Sequence, residues 1–76
     1  MPPAKTKMGF YQAPEDAARA RAAFHWTRLD EGHRSFSDFV AFAIATEVER
    51  LEAKYNGGQP WEPMQPGELP TGKPFA

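Results

Sequence analysis

Two short clusters of basic and polar side chains carry the chemistry that this 76-residue chain offers. Residues 5–12 read KTKMGFYQ, and the first fourteen residues hold two lysines and no acid. Residues 34–37 read RSFS, at the start of a predicted helix. Because amines and the free N–H groups of a helix start both attract anions, these clusters are candidates for contacts with phosphate groups.

Three predicted elements position these clusters. Alternation and aromatic content predict an extended strand over residues 5–12. A first helix is predicted from Pro14 to Asp30, because proline suits the first helical position and alanine, the best helix former, dominates the run. Gly32 suits the turn after it, and Ser35 with Asp38 predicts a capped second helix that ends at Tyr55.

The lone strand predicts a dimer. Its backbone groups are unpaired within the chain, and even a two-stranded hairpin is marginal in water. A chain this short supplies only ~3–5 kcal/mol of stability by itself, and it has no cysteine for a disulfide. The expected fold is therefore β-α-α: an intertwined homodimer with a two-stranded antiparallel β-ribbon on a four-helix base. A two-stranded ribbon also fits the DNA major groove.

The helical and strand periodicities predict the dimer core. One face of the strand and one stripe on the helices supply its residues, which are Met8, Phe10, Phe24, Phe36, Phe39, Val40, Ala43, Ile44 and Val48. Lys7 and Tyr11 then point outward. A one-residue slip would invert this register and turn Met8, Phe10 and Gln12 toward the DNA, so both registers stay open.

Composition excludes several other classes of protein. The net charge is −1, but residues 1–34 carry six basic and four acidic groups, a net +2, whereas residues 35–76 carry −3. His25 and His33 have no nearby third ligand, so neither a metal site nor a cofactor is expected. The residues show no nucleophile–base pair, which argues against an enzyme. The longest apolar run, 39–45, is too short to span a membrane, and the absence of cysteine is compatible with a reducing cytoplasm, where we expect the protein.

The turn and helix start at residues 32–39 resemble those of the ribbon-helix-helix family of DNA-binding proteins. Within that family, MGFY at 8–11, PEDAARAR at 14–21 and GELPTG at 67–72 look most like the small actinobacterial plasmid-partition proteins called ParB. The resemblance implies binding of repeated double-stranded DNA sites by side-by-side dimers associated with plasmid or nucleoid. It also implies a ParA-type ATPase partner and repression of the protein's own operon.

The resemblance also implies which residues meet DNA. Those that would contact bases are Lys5, Lys7, Gly9 and Tyr11. Those that would contact phosphates are Arg34, Ser35, Phe36 and Ser37, although a plain helix cap explains Ser35 equally well. The gap between strand and first helix is longer than in Arc-like members, and the strand is poor in polar side chains that read bases.

The chain divides into a flexible arm (1–4), a DNA-binding and dimerisation domain (5–56) and a proline- and glycine-rich tail (57–76). Two other functions fit the sequence. A ribbon-helix-helix antitoxin would use the same DNA end and wrap a toxin with its tail, which carries Trp61, Met64, Leu69 and Phe75. A helical dimerisation module that binds no DNA would fit the acidic net charge.

Overall fold

The computed structural model describes residues 5–65 and 67–68, and this part of the chain forms two helices. Helix α1 spans Pro14–Glu31 and helix α2 spans Phe36–Tyr55. Both predicted helices are confirmed: α1 ends one residue later than expected, and α2 begins one residue after its capping residue Ser35.

Local signals explain where α1 begins and ends. Pro14 occupies the first turn, and Glu15 and Asp16 lie where the helix dipole favours negative charge. At the other end Gly32 has a φ of 78°, a left-handed conformation that costs glycine little. The N–H groups of Gly32 and His33 both donate to the carbonyl oxygen of Arg28, at 2.9 and 3.1 Å. These bonds end α1 and reverse the chain into α2.

Helix α2 also has satisfied ends. The Ser35 hydroxyl accepts a hydrogen bond from the N–H of Asp38 at 3.1 Å, which is the N-cap that the sequence predicted. At the C-terminal end the N–H groups of Asn56 and Gly58 donate to the carbonyl oxygen of Glu52, at 2.9 and 3.0 Å. The helix therefore forms from its own sequence signals.

Three phenylalanines join the helices. The rings of Phe24 on α1 and of Phe36 and Phe39 on α2 lie 5.7–5.9 Å apart, centroid to centroid. The Arg28 guanidinium covers the Phe24 ring at 5.3 Å. No residue in the described part of the chain is fully buried, and Phe24, Phe39 and Val40 are only half-buried. A single copy therefore has a contact between helices but no enclosed core.

The predicted ribbon-helix-helix fold is wrong for this structure. Residues 5–13 form neither helix nor strand, and the described residues contain no strand and no β-ribbon. The observed fold is helical. The physical reason is that a strand exists only through hydrogen bonds to a second strand, which this chain does not supply to residues 5–12. Met8 and Phe10, expected in a core, remain 75% and 60% exposed.

Some sequence predictions lie outside the described residues. These are the flexible arm at 1–4 and, in the tail, the residues 66 and 69–76, which include Leu69 and Phe75. Within the described part, neither α1 nor α2 has the length and apolar character that crossing a bilayer demands.

Candidate nucleic-acid interface

The N-terminal segment, residues 5–13, runs past the start of α2. The Lys5 amine lies 4.0 Å from a carboxylate oxygen of Asp38, in the first turn of that helix. The lysine side chain is almost fully exposed, and 4.0 Å is a long distance for an ion pair, so the pair contributes little to stability. The pair does show where the segment lies: Lys5, a predicted base contact, is beside the predicted phosphate contacts at residues 34–37.

Lys7, Gly9 and Tyr11 are all exposed. A Cβ atom added at Gly9 would meet nothing within 4 Å, so packing within this chain does not require glycine at that position. Neither Lys7 nor Tyr11 lines the groove described below, whereas Met8, Gly9, Phe10 and Gln12 do. The segment thus turns one set of side chains toward α2 and leaves the lysine and tyrosine free.

The start of α2 presents donors to solvent. Arg34, Ser35 and Ser37 are exposed, and Phe36 is 38% exposed. The helical hydrogen-bond ladder begins with the N–H of Phe39 donating to the Ser35 carbonyl at 3.1 Å. By their position the N–H groups of Phe36 and Ser37 have no acceptor inside the helix. The half-buried Asp38 lies in the same turn, and its negative carboxylate would repel an anion there.

An apolar groove of about 560 Å³ lies between the N-terminal segment, α1 and α2. Of the nine residues predicted for a dimer core, all but Phe24 line it: Met8, Phe10, Phe36, Phe39, Val40, Ala43, Ile44 and Val48. Ile44 and Val48 remain 42% exposed in the single chain. The structure therefore brings the predicted core residues onto one open surface without enclosing them.

Glu47 and Ala20 also line this groove and were not among the predicted site residues. The Arg50 guanidinium donates two hydrogen bonds to the Glu47 carboxylate, at 2.7 and 2.8 Å. These bonds lower the pKa of Glu47 below its ordinary value and raise that of Arg50. The i,i+3 spacing on a helix was the sequence signal for this pair. It places a fixed negative charge at the edge of the apolar groove.

His33 packs against aromatic rings. Its ring lies 5.5 Å from that of Phe39 and 5.3 Å from that of Phe42, and it borders a second cavity of about 360 Å³. The histidine is half-buried. In the described ranges no cluster of histidine, aspartate and glutamate side chains has the arrangement of a metal site. His33 therefore acts as a packing residue at the joint between the helices.

The tail begins with an ordered turn. The Asn56 side-chain amide donates to the carbonyl oxygen of Gln59 at 2.7 Å, and residues 59–65 form neither helix nor strand. Trp61 and Met64 are about half and more than half exposed. Both side chains are therefore accessible to a partner protein.

Comparison with known proteins identifies the family. Residues 15–61 match the family model described as centromere-binding protein ParB, C-terminal. A solved structure titled "Crystal structure of the centromere-binding protein ParB from plasmid pCXC100" is 46% identical to this chain, with a TM-score of 0.71. The match covers 78% of this chain and all of that one. No curated protein matches the chain.

The family match covers α1, the turn, α2 and the first residues of the tail. It confirms the resemblance to small plasmid-partition centromere-binding proteins that the sequence suggested. The chain belongs to the family of ParB centromere-binding proteins, matching its C-terminal domain.

Proposed function

We propose that this protein binds repeated double-stranded DNA sites of a plasmid centromere and acts in plasmid partition together with a ParA-type ATPase. The observation that carries the proposal is the 46% identity to a plasmid centromere-binding protein over that protein's whole solved chain. The proposed role is binding and not catalysis, in the bacterial cytoplasm on the plasmid.

The proposed DNA surface combines the N-terminal segment with the start of α2. Lys5, Lys7 and Tyr11 would contact bases, and Gly9 would let the DNA approach the backbone closely. The phosphate contacts would come from Arg34, the hydroxyls of Ser35 and Ser37, and the free N–H groups of Phe36 and Ser37. The proximity of Lys5 to Asp38 supports this combination, because it places the N-terminal segment beside the start of α2.

The groove supports one of the two registers of the N-terminal segment. The side chains of Met8, Phe10 and Gln12 line it together with Gly9, and those of Lys7 and Tyr11 do not. This arrangement supports Lys7 and Tyr11 as the side chains that face DNA, and it counts against the inverted register. A lysine amine donates to guanine O6 or N7, and each good base contact contributes ~1–3 kcal/mol of discrimination.

The DNA-binding unit is proposed to be a homodimer that closes the apolar groove. None of the described residues is fully buried, and the groove exposes Phe10, Ile44 and Val48 to water. A second copy offers an identical apolar surface, and removing both from water contributes roughly 25 cal/mol for each Å² covered. The support is the coincidence of this groove with eight of the nine predicted core residues.

The tail is the proposed contact for the ATPase. Trp61 and Met64 are exposed on residues 59–65, whereas the segment before α1 is occupied by the proposed DNA contacts. The same dimer, bound at sites beside its own gene, would also repress its operon. An antitoxin would use the same tail for a toxin, so the identity of the protein that residues 59–65 retain separates the two functions.

The test is capture of sheared DNA from the source plasmid by the purified protein, followed by sequencing of the retained fragments. We expect enrichment of a cluster of short repeats, with an affinity that falls steeply as salt rises. A single site beside the gene for this protein would favour a repressor or antitoxin instead. Absence of enrichment at low salt would contradict DNA binding and favour the dimerisation module.

The matched variants are Lys7→Ala and Lys54→Ala, which remove equal charge from different ends of the molecule. Lys54 lies at the end of α2, over the Tyr55 ring, far along the helix from Ser35. Lys7→Ala should weaken binding to the captured repeat about tenfold, as expected for one lost base contact, and leave dimerisation unchanged. Lys54→Ala should have little effect. Equal affinities for the two variants would remove Lys7 from the site.

A further inference from the structure

The proposed DNA surface contains one acidic residue. Residues 5–12 and 34–38 carry two lysines, one arginine and a single acid, Asp38. Its carboxylate lies in the first turn of α2, beside the free N–H groups that would bind a phosphate, and like charges repel. Asp38 therefore opposes the phosphate contact that the rest of the helix start favours.

The cap of α2 does not require the Asp38 carboxylate. The Ser35 hydroxyl accepts a hydrogen bond from the backbone N–H of Asp38 at 3.1 Å, and any residue but proline supplies that N–H. In a complete capping box the side chain at position 38 would also accept a hydrogen bond from the Ser35 N–H. Among the described residues, no hydrogen bond to the Asp38 carboxylate is formed. The negative charge suits the helix dipole, but the carboxylate oxygens are available to another partner.

That partner is Lys5. The two side chains form the one ion pair of Asp38 within the described residues, at 4.0 Å, with the lysine 96% and the aspartate 37% exposed. In water such a pair contributes little. DNA seated on the N-terminal segment would exclude water from the pair, and the attraction between two charges grows as the surrounding dielectric constant falls. A lysine amine has three donors, so Lys5 can stay beside Asp38 and still donate to a guanine.

We propose that Asp38 determines the specificity of DNA binding. Its carboxylate repels phosphates on any duplex, and on the correct sequence it also orients Lys5 toward a base. On random DNA only the repulsion acts, whereas on the correct repeat the two effects oppose each other. Asp38 thus lowers the affinity for random DNA more than the affinity for the repeat. The proposal rests on the proposed function, since it assumes the DNA surface described there.

The first experiment compares Asp38→Asn with wild type, both as the full chain, by fluorescence anisotropy at one fixed salt concentration. The probes are a duplex that carries the captured repeat and a duplex of the same length and composition in scrambled order. We expect the affinity for the scrambled duplex to rise about fivefold, as for one surface charge repulsion removed, and the affinity for the repeat to rise less than about twofold. The proposal requires both the rise on the scrambled duplex and the fall in specificity, and failure of either would overturn it.

Two control variants separate the local charge of Asp38 from net charge and from folding. Asp38→Glu keeps a carboxylate in the first turn and should leave the scrambled-duplex affinity within about twofold of wild type. Glu49→Gln removes the same charge from an exposed position about 17 Å farther along α2, beyond the Debye length of about 8 Å at physiological salt. It should change neither affinity. Circular dichroism checks that α2 is intact in each variant. A rise with Glu49→Gln as large as with Asp38→Asn would overturn the local role of Asp38.

A double-mutant cycle tests whether Asp38 acts through Lys5. In the Lys5→Ala background only the phosphate repulsion remains. Asp38→Asn should therefore raise the repeat affinity about fivefold in that background, as it does on the scrambled duplex, and less than about twofold when Lys5 is present. Equal rises in the two backgrounds would overturn the orienting role of Asp38.

The same measurements distinguish this proposal from the function on which it rests. If the wild-type chain binds the captured repeat and Asp38→Asn leaves the specificity unchanged, the inference about Asp38 fails and DNA binding stands. If the wild-type chain and Asp38→Asn both bind no duplex even at low salt, the proposed function fails, and the role of Asp38 fails with it.

Discussion

The two helices and the segment before them differ in where their backbone hydrogen bonds go. In α1 and α2 the bonds lie within each helix, and the ends are closed by Gly32, Ser35 and Asn56. Residues 5–13 form no strand and therefore have no regular ladder of backbone hydrogen bonds. The helices are therefore defined locally, whereas the segment depends on whatever it lies against. Changes in the helices should therefore alter folding, and changes in the segment should alter binding.

The largest effect should come from the aromatic contact that joins the helices. Phe39→Ala removes a ring that lies within 6 Å of Phe24, Phe36 and His33. Substitution of a fully buried phenylalanine by alanine costs ~3–5 kcal/mol. Because Phe39 is only half-buried, we expect about 2 kcal/mol, measured by thermal unfolding followed by circular dichroism. Phe42→Ala is the control, since that ring is 58% exposed; similar losses for both would mean that the joint is elsewhere.

The helices could be predicted because their signals are short-range. Pro14, Gly32 and the Ser35–Asp38 pair each act within one turn, and each appears in the structure in its predicted role. The ribbon could not be settled in this way. The sequence of residues 5–12 favours an extended backbone, but a strand also needs a partner that local propensity cannot specify.

The candidate site was predictable to a similar degree. Six of the eight predicted core residues that line the groove lie on α2, where helical spacing decides which side chains share a face, whereas Met8 and Phe10 lie on the segment before α1. The contact between Lys5 and Asp38 was not predictable, since it depends on the path of the segment past α2. Trp26 and Leu29, which the predicted core leaves out, are 78% and 89% exposed.

Two glycines sharpen the contrast between helix and segment. Gly32 has a φ of 78°, so Gly32→Ala should cost about 1–2 kcal/mol through left-handed strain. Gly9→Ala meets no atom within 4 Å and should change the free energy of unfolding by less than ~0.5 kcal/mol. If Gly9 admits DNA to the backbone, that variant should nevertheless weaken repeat binding. A large stability loss for Gly9→Ala would mean that the segment is packed as firmly as the helices.

The cap of α2 should give a smaller loss. Ser35→Ala removes the hydroxyl that accepts the Asp38 N–H, which typically costs ~1 kcal/mol. Ser37→Ala is the matched control, because Ser37 lies inside the helix and does not cap it. Denaturant unfolding gives the stability of both, and repeat binding separates the cap from the proposed phosphate contact. Ser35 would be no cap if both variants unfolded at the same denaturant concentration.

The smallest effect should come from Glu47, because its pair with Arg50 is exposed. The hydrogen bonds from Arg50 lower the pKa of Glu47 in the folded chain below its ordinary value of 4.5. Because the pKa is lower in the folded state, the pair stabilises the protein at pH values above 4.5. The contribution is lost as pH falls through the folded-state pKa.

Glu47→Gln should therefore lower the Tm slightly at pH 7, and by less at a pH low enough to protonate the wild-type carboxylate. Glu49→Gln is the control, since Glu49 forms no ion pair with another described residue. A loss of equal size at both pH values would mean that Glu47 contributes through its position at the groove edge, where a second copy would cover it, and not through its charge.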